Sequence, residues 1–222
     1  MKMIPALLAA PLALTSASLM ATPYAPKDFR LSGVEMARDA QGLRISMPHA
    51  AWQDPAKDQL ADRDFMAWLP IDFHDGVIEV DVKSAPAADA PAFARGFAGI
   101  AFRYDGGKFE SIYLRPTNGV TPDQVRRNHT VQYAAYPDWR FDRLRKESPE
   151  RYETAADIAP DRWVHMRIEV SGTSAKLYLD HRRSPTLIVS DLKLGADQRG
   201  GVGLWIETAT IAHFRKLKIT AH

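Results

Sequence analysis

The residues of this chain best suited to chemistry are crowded into one stretch. Arg115, Asn118, Arg126, Arg127, His129, Gln132 and Tyr133 follow closely on one another, and Tyr136, Asp138, Trp139 and Arg140 come next. Planar guanidinium, amide and carboxylate groups hydrogen-bond sugar hydroxyls in pairs, and aromatic rings stack on sugar C–H surfaces, so this mixture is the toolkit of carbohydrate recognition. His129 titrates near neutrality and suits acid or base work, with Asp138 or Glu110 as orienting carboxylate and Arg115 or Arg127 steadying an anion. A hydrolase or a β-eliminating lyase acting on a sugar is consistent with these three candidate catalytic residues. The same residue types in loops also form ordinary surface ion pairs, and chain proximity alone does not separate the two readings.

Other chemistries are excluded. The chain has no Cys, which removes disulfide frameworks, thiol nucleophiles, iron–sulfur clusters and Cys-ligated zinc together. Its seven His show no His-x-His or His-Glu-x-x-His spacing, and no EF-hand loop is present. A structural calcium held by loop carbonyls and Asp residues leaves no such signature, so it stays open as a cofactor. There is neither a Gly-x-Ser-x-Gly elbow nor a glycine-rich phosphate loop. With 29 Lys and Arg against 27 Asp and Glu, evenly spread, the net charge of +2 argues against a nucleic acid partner.

The elements that must position these residues read as short strands. In Val77–Lys83, Ile78, Val80 and Val82 share one face while Glu79, Asp81 and Lys83 share the other. Trp163–Val170 alternates in the same way, leaving His165 on a solvated face, and the Gly172-Thr173 turn leads into Ala175, Leu177 and Leu179 as a hairpin partner. Further strands are expected at Leu43–Met47, Phe65–Ile71, Phe97–Tyr104, Phe109–Leu114, Thr186–Val189, Gly201–Glu207 and Phe214–Thr220, with a tight turn at Asp105-Gly106-Gly107. Alternation puts Tyr113 and Arg115 on one face opposite Ile112 and Leu114, and Trp205 and Glu207 opposite Val202, Leu204 and Ile206. Without helices of crossover length between them, these strands imply an all-β, antiparallel jelly-roll β-sandwich. Thr121–Ala159 breaks the strand rhythm and reads as one long inserted loop region with a helical turn at Asp142–Lys146.

Residues 1–21 have the build of a secretory signal: Lys2, an apolar run from Met3 to Leu14, then small residues to Ala21. The expectation is one exported domain over 22–222, periplasmic or extracellular, monomeric and without a membrane span.

Phe73-His74-Asp75-Gly76-Val77-Ile78-Glu79-Val80-Asp81-Val82 resembles the early strand of concanavalin A-like lectin/glucanase sandwiches. Gly99-Ile100-Ala101-Phe102-Arg103, Phe109–Pro116, Trp163–Val170, Ala175–Leu179, Gly201–Trp205 and Phe214–Ile219 continue the pattern over about residues 65–220. This ordering is similar to laminin G-like modules and to exported bacterial domains grouped with 3-keto-disaccharide hydrolases. The resemblance implies a glycan bound or cleaved on the concave sheet, with a non-catalytic adhesion or assembly module of the cell envelope as the alternative. The Glu-x-Asp-x-x-Glu strand of laminarinase-type glycosidases is matched only at Glu79 and Asp81; its third position is Ser84, so that double displacement lacks its acid/base partner. The expected substrate-binding set is therefore Arg103, Tyr113, Arg115, Asn118, Arg126, Arg127, Gln132, Tyr133, Trp139, Trp205 and Glu207.

Overall fold

A computed structural model describes residues 24–60 and 62–222; residues 1–21, expected to be a signal segment, lie outside the described residues. Among the described residues fourteen strands fall into two antiparallel sheets of seven. They are β1 (Arg30–Ser32), β2 (Glu35–Asp39), β3 (Gly42–Ser46), β4 (Met66–Phe73), β5 (Gly76–Pro86), β6 (Ala98–Asp105) and β7 (Lys108–Leu114). The second half adds β8 (Val131–Tyr136), β9 (Glu153–Thr154), β10 (Val164–Ser171), β11 (Ser174–Leu179), β12 (Leu187–Val189), β13 (Gly200–Ile206) and β14 (Thr210–Ala221). Among the described residues three short α-helices interrupt them, α1 (Pro116–Gly119), α2 (Gln124–Asn128) and α3 (Phe141–Glu147), besides single 3-10 turns near the N-terminal end. The first sheet runs β1-β4-β13-β6-β7-β8-β9 and the second β12-β11-β10-β5-β14-β3-β2, so the expected antiparallel sandwich is the observed fold. No helix among the described residues is long and apolar enough to cross a membrane.

The period-2 pattern decides which side chains fill the space between the sheets. Ile78, Val80 and Val82 of β5 and Met166, Ile168 and Val170 of β10 pack inward from the second sheet; Ile100, Ile112 and Leu204 meet them from the first. Burial of each such side chain contributes about 1.5–3 kcal/mol. The region expected as an insertion contains a strand. Six consecutive residues of β8 are buried, and β8 pairs with β7 on one side and β9 on the other. Its sequence, Val-Gln-Tyr-Ala-Ala-Tyr, shows no apolar–polar alternation because neither of its faces meets water.

Three polar residues expected in the ligand site serve the framework instead. Arg103 sits at a bulge in β6 with φ of 58° and is completely buried. Its Nε donates to the His74 carbonyl at 2.7 Å, and its Nη2 donates to Asp75 Oδ1 at 2.8 Å and the Gly172 carbonyl at 2.9 Å. One guanidinium thus fastens the β4–β5 turn to the β10–β11 turn, and nothing of it is left for a ligand. Glu110 shares parity with Ile112 and so points between the sheets, where it accepts from the Tyr133 hydroxyl and from the Leu194 amide at 2.9 Å. Burial pushes the Glu110 carboxyl up, against the pull of Tyr133 and Leu194. Glu110 and Tyr133 therefore anchor the 191–195 loop rather than contact substrate.

Replacing Arg103 by Met leaves buried carbonyls and Asp75 without their donor. The variant is expected to lose about 3 kcal/mol of stability, read as a lowered midpoint in urea unfolding followed by tryptophan fluorescence. An unchanged midpoint contradicts the clasp.

Candidate functional site

The outer face of the first sheet is aromatic. Across β13, β6, β7, β8 and β9 one row reads Trp205, Gly99, Tyr113, Gln132 and Glu153. Gly99 belongs there for a steric reason: a Cβ would stand 2.5 Å from Tyr113 Cα, and without one the Tyr113 and Trp205 rings approach to 4.7 Å between centroids. Farther along the same face Trp68, Tyr104, Phe109 and Tyr136 pack in succession. Loops cover this face, and where they fail to close they leave a cavity of about 550 Å³.

Arg115 stands at the centre of that cavity's wall. It leaves β7 on the Tyr113 face and precedes Pro116, the first residue of α1. Its guanidinium carbon lies 5.0 Å from the Phe97 ring centroid, 5.3 Å from Tyr113 and 5.2 Å from Phe141, a three-ring cage in which cation–π attraction offsets part of the desolvation. Nη2 donates to the Tyr113 hydroxyl at 3.2 Å and Nη1 to the His129 carbonyl at 3.3 Å, while Nε is buried without a partner. Burial pushes the Tyr113 hydroxyl up to about 12, so it stays neutral.

Local structure brings the other groups to Arg115. Asp123 caps α2 by accepting from the amides of Val125 and Arg126. Arg126 then reaches back so that its Nη2 donates to Asn118 Oδ1 at 3.3 Å, while Asn118 Nδ2 donates to the His129 carbonyl. In α3, Phe141 and Arg145 are four residues apart and share the face that lines the cavity, with buried Leu144 holding the helix down. Arg145 meets Glu153 through two hydrogen bonds, 2.9 and 2.7 Å. The same carboxylate lies 3.5 Å from Arg115 Nη1 and 3.4 Å from His129 Nε2. His129 has its pKa lowered, first by burial and further by Arg145 and Arg115, with Glu153 pulling the other way; the imidazole is neutral at pH 7.

The remaining wall carries carboxyls. Asp62 accepts from Arg140 Nη2 at 2.6 Å, and Arg140 Nε donates to the Tyr136 hydroxyl. Glu207, one residue past β13, is buried, and its Oε2 accepts from the Arg95 amide at 3.1 Å. Burial raises the Glu207 carboxyl from 4.5 to about 8, outweighing the Arg95 amide and Arg115, which lower it. At neutral pH the site therefore holds a protonated carboxyl able to donate, a neutral imidazole able to accept, and several guanidinium groups able to hold an anion.

Of the residues expected from sequence, Tyr113, Arg115, Asn118, Arg126, His129 and Glu207 line the cavity. Trp205 supports Tyr113 from beside it and spends its ring N–H on the Arg63 carbonyl at 2.7 Å. Gln132 lies in the same row but gives its amide to the Tyr133 and Tyr152 carbonyls, tying β9 to the sheet. Asp138 is exposed at the turn before α3, and its carbonyl receives Arg143; it does not orient His129, whose carboxylate neighbour is Glu153. Arg127 is exposed and reaches only the Thr121 carbonyl, and Trp139 packs under Arg143 and Lys193. Sequence reasoning did not single out Asp62, Arg95, Phe97, Phe141 and Arg145, which come from loops and a helix remote in sequence. Only the four-residue spacing of Phe141 and Arg145 carried a signal.

The Glu79–Asp81 strand lies on the opposite side of the sandwich. Asp81 is buried and accepts from His165 Nδ1 at 2.9 Å, Arg215 Nε at 3.1 Å and Lys216 Nζ at 3.0 Å. Among the described residues no three His, Asp or Glu side chains converge as metal ligands.

No protein-family model matches the chain, and no curated protein does. Solved structures do match in fold. A carbohydrate-binding module from Bacillus subtilis, CBM66, aligns with a TM-score of 0.58 at 14% identity, over 87% of this chain and 96% of that one. A Bacillus subtilis protein of unknown function with a galectin-like fold gives 0.53 at 15% identity, over 89% and 92%. A Parabacteroides distasonis protein provisionally described as a glycosyl hydrolase gives 0.51 at 9% identity, over 88% and 89%. What the chain shares with these structures is the fold, a galectin-like sandwich of two antiparallel sheets.

A Glu207→Gln variant tests the protonated carboxyl. A carboxyl with a folded pKa near 8 and an unfolded pKa near 4.5 binds more protons folded than unfolded between those values, so it costs stability as pH rises through that window. The variant is expected to gain on the wild type, between pH 5 and pH 9, by on the order of 4 kcal/mol. Urea midpoints at the two pH values measure this; an equal difference at both contradicts it.

Proposed function

We propose that this is an exported carbohydrate-engaging protein that takes a sugar end or short oligosaccharide into the 550 Å³ cavity of the first sheet and processes it there. The observation that carries the reading is Glu207 buried in the wall of an aromatic and arginine-lined cavity, where burial pushes its carboxyl up to about 8; a carboxyl raised in this way inside a cleft is suited to proton transfer. Glu207 is the group suited to give a proton to a glycosidic oxygen, and neutral His129 the group suited to receive one. Phe97 and Phe141 add apolar surface to the cavity wall against which sugar C–H groups can pack. The fold neighbours support the carbohydrate class: one is a carbohydrate-binding module and another is provisionally described as a glycosyl hydrolase. The signal-like segment 1–21 supports export to the periplasm or beyond.

A thermal-shift screen against mono- and oligosaccharides, including 3-keto sugars, tests binding; a ligand at about 100 times its Kd adds about 2.7 kcal/mol. The shift is expected to disappear in His129→Ala and Phe141→Ala and to persist in Arg127→Ala. Chromatography of the products then separates the two roles. Turnover lost in Glu207→Gln with binding kept marks an enzyme, whereas binding without any turnover by the wild type marks a recognition module.

A further inference from the structure

Resting on the reading of the cavity as the carbohydrate site, we infer that the sugar it takes is acidic, carrying a carboxylate or sulfate that sits against Arg126 and the caged Arg115. The charge of the cavity points there. Arg95, Arg115, Arg126, Arg140 and Arg145 all line it, against Asp58, Asp62 and Glu207, with Glu153 behind the wall. Asp62 is spent on Arg140. Glu153 is divided among Arg145, Arg115 and His129, and the closest it comes to Arg115 is 3.5 Å. Arg95 and Arg126 have no carboxylate within ion-pair distance among the described residues; the polar side-chain partner of Arg126 is the amide of Asn118. Glu207, held protonated by burial, brings no countercharge at neutral pH.

The cavity thus holds more guanidinium than carboxylate charge. Arg115 shows the deficit most sharply, since it is nearly wholly buried, keeps one N–H without a partner and shares its only carboxylate. Buried charge of this kind is costly unless paired, and an anion held by Arg126 beside Arg115 adds the countercharge that the shared Glu153 supplies only in part. Guanidinium groups are suited to this because they meet carboxylate and sulfate oxygens through paired, charge-assisted hydrogen bonds. Neutral sugars satisfy hydroxyl-directed contacts but leave the surplus charge uncompensated.

Isothermal titration of the protein with short oligogalacturonates and with sulfated oligosaccharides, each beside its carboxyl-reduced or desulfated counterpart, tests the inference. The acidic member of a pair is expected to bind at least about tenfold more tightly, with the preference shrinking as salt rises. Whichever acidic series shows the preference identifies the source of the charge. In Arg126→Gln, and separately in Arg95→Gln, the acidic ligand is expected to lose more affinity than its neutral counterpart, so that the preference between them shrinks. Neutral members binding as tightly as acidic ones overturn this inference and leave the carbohydrate reading standing. Failure of both members of every pair overturns the carbohydrate reading and this inference with it.

Discussion

The first sheet is apolar on both faces, and the form of the site follows from that constraint. Its inner face packs against the second sheet, as in any sandwich. Its outer face carries Trp68, Tyr104, Phe109, Tyr113, Tyr136 and Trp205, too much aromatic surface to leave in water. The segments before β4, before β6 and between β7 and β9 must therefore fold over it. The cavity is the space those covers leave above Tyr113 and Arg115, and its polar lining comes from cover segments that cannot bury all of their own polar groups.

Two arginines show how one side chain is put to different uses in such a frame. Arg103 is fully paired by carbonyls and Asp75 at the end of the sandwich, and its surroundings are complete. Arg115 is nearly as buried but less completely paired: three rings surround it, Nη1 and Nη2 reach oxygens, Nε has no partner, and it opens on a cavity. Completed pairing is the mark of a structural clasp; incomplete pairing beside a void is the mark of a binding group. The same contrast separates Glu110, which accepts from Tyr133 and the Leu194 amide, from Glu207, which lines the cavity with its carboxyl protonated.

Much of the frame was legible in the chain. The alternation in β5, β10 and β11 predicted their inward residues, the Gly172-Thr173 turn predicted the β10–β11 pairing, and the parity of Tyr113 with Arg115 and of Trp205 with Glu207 put these residues on the face that forms the site. Parity also placed Glu110 with Ile112, a signal that its carboxylate points away from Tyr113. β8 was hidden because a strand buried on both faces shows no alternation. Arg103 was misplaced because a bulge with positive φ turns its side chain off the regular two-residue repeat.

By itself the sequence determined the class of fold, the inward and outward faces of most strands, and the neighbourhood of His129, Arg115 and Asn118. These depend on local periodicity and short-range turns, which a chain expresses in its order of residues. The tertiary structure alone decided which polar groups meet. Glu153 became the carboxylate of His129 and Arg145, Asp62 was brought to Arg140, and Arg95 and Phe97 were set beside Glu207. Those partners are separated along the chain by loops whose paths follow from the need to cover an aromatic sheet, and pairwise charge and burial act through distance in space rather than position in sequence.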